Sequence, residues 1–233
     1  MPGNLSPRRR RILLEVCVES VDDAVAAAAG GADRIELNTA LSLDGLTPTP
    51  GLLVETRKSV RLPLIVMARP RTGDFCYSDA EFRVLRRDVE YALEHGADGV
   101  AFGILTADRG IDVRRCRTVA RGMRDGRDLV FHRAFDVTRT PLDALEQLID
   151  MGVRRVMTSG GRPTAADGTP LVRRLIERAA GRIEILPAGG VRPGNALAIV
   201  NQTGCDQLHT SLRDKTGRMN VRWLRSVALR LRP

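Results

Sequence analysis

The chain has 233 residues, a mass of 25.5 kDa, a formal charge of +9 and an isoelectric point near 10.5. That length suits one α/β barrel, and no apolar run reaches the 18 or more residues of a membrane span or the length of a secretory signal. The basic balance invites phosphate, but Lys58 and Lys215 are the only lysines among 37 basic residues, the arginines are spread along the chain, and aromatics are 3%. Such a surface lacks a base-stacking platform, so neither nucleic acid nor membrane is an expected partner.

Residues 1–11, with the run RRRR, read as a flexible basic tail, and residues 12–233 as one barrel domain. The predicted strands, in order, are 12–18, 34–38, 64–69, 99–105, 129–135, 154–159, 183–188 and 205–211. Amphipathic helical stretches alternate with them. Ser78 and Thr140 stand where helix N-caps are needed, Pro141 follows at the first helical position, and glycines after residues 30, 95 and 151 stop helices. The last stretch places Val221, Leu224, Val227, Ala228 and Leu231 on one helical face, with Trp223 as packing. Eight such βα units without a break predict a closed (β/α)8 barrel. An open dinucleotide-binding sheet would need G-x-G-x-x-G after the first strand, and CVESVDD has none.

Chemistry in such barrels sits at the C-terminal ends of the strands. Those ends carry Glu15 and Cys17, Glu36 and Asn38, Arg69 with Arg71 beyond, His132 and Arg133 followed by Asp136, Thr158 and Ser159, and His209 and Ser211. A single buried Glu beside an Arg is often a structural ion pair. Two carboxylates, two histidines and three arginines around one mouth predict a pocket instead. His95, at a helix C-terminus, reads as structural.

In that pocket Glu15 or Glu36 is the candidate base and His132 or His209 the candidate acid. Arg69, Arg71 and Arg133 would neutralise a small anion, phosphorylated or carboxylated. The turns TSGGRP and PAGGVRPGN offer Ser159, Gly160, Gly189 and Gly190 to the same anion. A variant of this reading holds a divalent metal through Glu15, Glu36 and His209. Schiff-base chemistry is excluded, because neither Lys58 nor Lys215 falls at a strand end.

The stretches LLEVCVESVDDAVAAAAGGADRIELN, RPRTGDFCYSDAEF, FHRAFD, RVMTSGG and LPAGGV closely resemble the CutC family, from about Ile12 to about Ser211. The resemblance implies a cytosolic (β/α)8 barrel, commonly a homo-oligomer, that binds copper in copper homeostasis. The family's copper proposal rests on two cysteines, of which Cys17 matches the first. Asn38 stands at the second position and is a poor ligand for soft Cu(I), so the two-thiolate site does not carry over intact. Cys76 is the alternative thiol if its loop folds over the mouth.

Overall fold

The computed structural model describes residues 11–123, 126–213 and 219–231. Eight strands alternate with eight helices along the chain: β1 Leu13–Val18, α1 Val21–Gly30, β2 Arg34–Leu37, α2 Pro50–Ser59, β3 Leu64–Met67, α3 Asp79–Glu94, β4 Gly99–Phe102, α4 Val113–Gly122, β5 Asp128–Phe131, α5 Pro141–Asp150, β6 Arg155–Thr158, α6 Thr169–Ala179, β7 Glu184–Pro187, α7 Ala196–Thr203, β8 Gln207–Thr210 and α8 Val221–Leu231. All ladders are parallel, in the order β7-β6-β5-β4-β3-β2-β1-β8, so the ring closes except between β7 and β8. Side chains bridge that seam. Gln207 Nε2 donates to Glu184 Oε2 at 3.2 Å and Thr210 Oγ1 to the Val191 carbonyl at 3.0 Å.

The expected tail falls on residues outside the described ones, apart from Arg11, which pairs with Asp33. Ser78 caps α3 in a reciprocal capping box with Glu81. Thr140 precedes α5 without a side-chain cap bond, leaving Pro141 alone to mark that start. On α8, Leu224, Val227, Ala228 and Leu231 are buried, whereas Trp223 is 38% exposed and does not belong to the core. Most strands end earlier than the sequence pattern suggests, because the chain leaves the ladder where the mouth begins. After β5, for example, His132 opens a 3-10 turn over Arg133–Val137.

Alternation along each strand sorts the core into two places. Outward residues such as Leu37, Phe102 and Phe131 pack against the helices in one continuous apolar shell, each burial contributing roughly 2 kcal/mol. Inside the barrel the apolar groups are small and local: Ile65, Met67, Ala101 and Val130 from β3 to β5, and Met157, Leu186 and Ala188 along and just past β6 and β7. On β8, β1 and β2 the corresponding buried residues are polar, Gln207, His209, Glu15, Arg34 and Glu36. The lumen is therefore apolar on one side and charged on the other.

Candidate functional site

Register builds the charged side. Glu15 pairs with His209 across β1 and β8, and Cys17 with Glu36 across β1 and β2. Glu15 is 1% exposed, accepts from Arg34 Nε, and binds His209 Nδ1 through its other oxygen at 2.8 Å. Burial pushes its carboxyl up, but Arg34 and then His209 outweigh this and hold it well below the usual range. Arg34 also donates to Gln207 at 2.9 Å, and Arg155 joins the same network through Gln207, Glu184 and Asp128. Glu15 is thus spent on structure and on orienting His209. It does not line the cavity above, so the expected role of Glu15 as a base or metal ligand is corrected by its partners.

One turn of the pleat higher, the arrangement opens. A cavity of about 490 Å³ is lined by Cys17, Glu36, Asn38, Met67, Arg69, Phe75, His132, Arg133, Met157, Gly189, Gly190 and His209, with further loop residues. Glu36 is 2% exposed; its Oε2 accepts from Asn38 Nδ2 at 2.9 Å and lies 3.8 Å from His209 Nε2, while its Oε1 has no partner. Burial and the charge of Glu15 raise its carboxyl above the ordinary range despite His209 and Asn38. Burial disfavours the charged His209 ring, yet Glu36 and Glu15 together raise it and favour the imidazolium. Cys17, also buried, accepts from Asn38 Nδ2 at 3.2 Å, and burial with the Glu36 charge pushes its thiol well up. Cys17, Glu36 and His209 each place one donor atom within 4.8 Å of the others, the set among the described residues that could hold a metal.

Arg69 and His132 enter the same cavity from the ends of β3 and β5. Arg69 Nη1 donates to the carbonyls of Leu43, Asp44 and Gly45 and Nη2 to that of Gly73, at 3.2–3.4 Å, so its Nη1 side is engaged by backbone while Nε has no partner. His132 Nδ1 accepts the Ala134 amide at 3.1 Å. Burial, then Arg69 and Arg133, press its pKa down to about 3. Near neutral pH His132 is therefore a neutral donor rather than the imidazolium acid expected of it.

The two glycine turns differ. After β6, Asp136 already acts as the anion: it accepts from Thr158 Oγ1, the Ser159 amide and hydroxyl, and the Gly161 amide, and the Gly160 amide is taken by Thr158 Oγ1. Ser159 and Gly160 are consumed inside the loop. After β7, the Gly189 and Gly190 amides donate to no protein group among the described residues, and both glycines line the cavity. Arg133 reaches the same rim but is tied to Asp136 at 2.9 Å and to Ser159 at 3.2 Å. Arg71 lies outside the cavity, bound to Glu81 at 2.6 Å and Asp74 at 2.9 Å. The 73–78 loop does reach the mouth through Gly73 and Phe75, but Cys76 is exposed and apart from the metal-ligating set. His95 caps α3 and stacks on Tyr91, as its position suggested.

Arg34 and Asp136 are the residues that sequence reasoning undervalued. The signal for Arg34 was register, since a parallel β1–β2 pair sets it opposite Glu15. Asp136 gave no signal beyond its place after His132 and Arg133.

Comparison with known proteins agrees with this architecture. A model of the CutC family matches residues 12–214. A copper homeostasis protein cutC homolog of Homo sapiens is 45% identical over 213 residues, covering 91% of this chain and 78% of that one. A CutC family protein of Treponema denticola is 46% identical over 200 residues, covering 86% and 81%. The crystal structure of CutC from Streptococcus agalactiae superposes with a TM-score of 0.81 at 32% identity, over 85% of this chain and 97% of that one. A phosphoribosylanthranilate isomerase of Thermotoga maritima shares the fold alone, with a TM-score of 0.60 at 11% identity, over 94% of this chain and 97% of that one. With this family match and these identities behind it, the chain belongs to the CutC family.

Proposed function

We propose that this chain serves in copper homeostasis, the role that names its relatives, and that it holds a copper ion at the mouth through Cys17, Glu36 and His209. The observation that carries this reading is the approach of three donor atoms of different softness to within 4.8 Å of one another. The fit is that of a one-thiolate site: Asn38 hydrogen-bonds Cys17 and Glu36 where a second cysteine would add a soft ligand. Such a set suits a borderline ion, Cu(II) or a three-coordinate Cu(I), better than two-coordinate Cu(I) between thiolates. The four cysteines, none of them in a disulfide, agree with a reducing, cytosolic setting. Competition against a copper chelator tests it. One ion per chain, weakened tenfold or more in Cys17→Ser and His209→Gln, supports the site; equal affinity in both variants removes it.

A second reading is favoured by a separate observation. Glu36 Oε1 and His132 Nε2 are both buried without partners beside a cavity far larger than one ion needs. Here the mouth is an acid–base site for a small anionic molecule. Glu36 takes a proton, His209 held by Glu15 stands 3.8 Å away as a positive charge facing the Glu36 carboxylate, and His132 donates a hydrogen bond. Incubating the protein in deuterated water with small carboxylated and phosphorylated compounds tests this. Carbon-bound deuterium that appears with wild type and not with Glu36→Gln supports it, and no exchange in any compound overturns it.

A further inference from the structure

Two buried N–H groups on the β3–β5 side of the mouth lack an acceptor, and both flank one aromatic ring. Arg69 Nε is the first; the rest of its guanidinium is spent on four backbone carbonyls. His132 Nε2 is the second. Because Nδ1 accepts the Ala134 amide, the neutral ring carries its proton on Nε2. The Phe75 ring lies 5.0 Å from Arg69 Cζ and 5.1 Å from the His132 ring, centroid to centroid. Arg69 is 6% and His132 3% exposed, and both line the cavity.

The His132 ring is held in this pose from behind. A Cβ on Gly103 would come within 2.4 Å of His132 Cε1, so only glycine leaves room for the ring to lie there. A buried N–H without an acceptor keeps its desolvation cost, which a ligand oxygen would relieve. On β2 the unpaired atom is of the other kind, the Glu36 Oε1 acceptor. The cavity therefore offers two donors and one acceptor without partners.

We infer that Arg69 Nε and His132 Nε2 form a two-donor oxyanion subsite that receives the carboxylate of a small hydroxy acid, whose hydroxyl turns toward Glu36. This rests on the acid–base reading and adds the ligand class to it. Two single donors, one neutral and one on a guanidinium already occupied by carbonyls, match a carboxylate oxygen. A phosphate dianion would bring two negative charges to one guanidinium and a neutral imidazole with the Glu36 carboxyl in the same cavity, whereas a carboxylate brings one. The hydroxyl is required because Glu36 Oε1 is an acceptor and needs a proton donor.

The test uses the whole chain labelled with ¹⁵N-histidine. The Nε2–H resonance of His132, identified by its loss in His132→Phe, is followed while glycerate, propionate and inorganic phosphate are added separately. The inference predicts that glycerate shifts this resonance and binds at least tenfold more tightly than propionate, which has the same carbon skeleton without hydroxyls. It also predicts that His132→Phe weakens glycerate binding tenfold or more. An unmoved resonance with glycerate overturns it, as does a shift with phosphate alone, or propionate binding as tightly as glycerate. If His132→Phe does not fold, Gly103→Ala supplies the resonance assignment through displacement of the ring, and the wild-type titration decides. Should glycerate bind at His132 while no compound exchanges deuterium, the subsite stands and the acid–base reading falls by itself.

Discussion

Glu15 on β1 and Glu36 on β2 are 1% and 2% exposed, and both approach the same imidazole, that of His209. Glu15 meets it at 2.8 Å with Arg34 on its other oxygen, whereas Glu36 stands 3.8 Å away with only an amide on one oxygen and nothing on the other. Their pKa values move in opposite directions for that reason. Burial alone does not make a carboxylate reactive. The missing cation does, and one step along the barrel axis separates a carboxylate that holds the fold from one left available to a ligand.

Removing each carboxylate in turn sharpens the contrast most. Glu15→Ala leaves Arg34 charged and buried beside a neutral Gln207, and is expected to cost about 3–5 kcal/mol by urea unfolding at neutral pH. Glu36→Gln is expected to change stability by less than about 1 kcal/mol, or to raise it slightly. A group whose folded pKa is raised opposes folding once pH exceeds its unfolded value, 4.5. Comparable losses in both variants would erase the distinction.

The next effect comes from His132. Its folded pKa is depressed from 6.5 to about 3, so its neutral form is favoured by the fold and stability falls as pH drops through that interval. The loss accumulates to an order of 5 kcal/mol at full protonation. His132→Phe should therefore lose less stability than wild type between pH 6.5 and 3, read as a shallower fall of the melting temperature. An unchanged slope would place the acid sensitivity elsewhere.

At the metal-ligating set, Asn38→Cys restores a second thiol next to Cys17 and should tighten Cu(I) by at least tenfold in a chelator competition, or about 1.4 kcal/mol. No tightening would separate Cys17 and position 38 as a copper pair. The smallest effect belongs to Arg71, whose ion pairs with Asp74 and Glu81 are partly exposed. Arg71→Ala should cost under about 1 kcal/mol and leave anion binding unchanged; loss of binding would return it to the site.

The sequence carried the barrel and its mouth well, because alternation of apolar strands with capped helices is local information, and strand ends are where the fold exposes polar groups. It placed Glu36, His132, His209 and Cys17 near one another for the same reason. It could not distinguish Glu15 from Glu36, since both occupy E-x-C or E-x-N steps on adjacent strands. What divides them is register: Arg34 falls opposite Glu15, while Cys17 and Ile65 fall opposite Glu36. It also credited Arg69, Arg71 and the Ser159–Gly160 turn with free donors. Apart from Arg69 Nε, those donors meet backbone carbonyls, Glu81 and Asp74, and Asp136, partners that only the folded loops bring close.

The contrast between the two carboxylates is tested most directly by following the ¹³C carboxyl resonances of a glutamate-labelled protein through an acid titration, with the two signals assigned in Glu36→Gln and Glu15→Gln. The account predicts that Glu36 titrates with a midpoint above 4.5, and that Glu15 keeps its charged chemical shift well below that pH. A Glu36 midpoint below 4.5, or a Glu15 midpoint at or above it, would contradict the account.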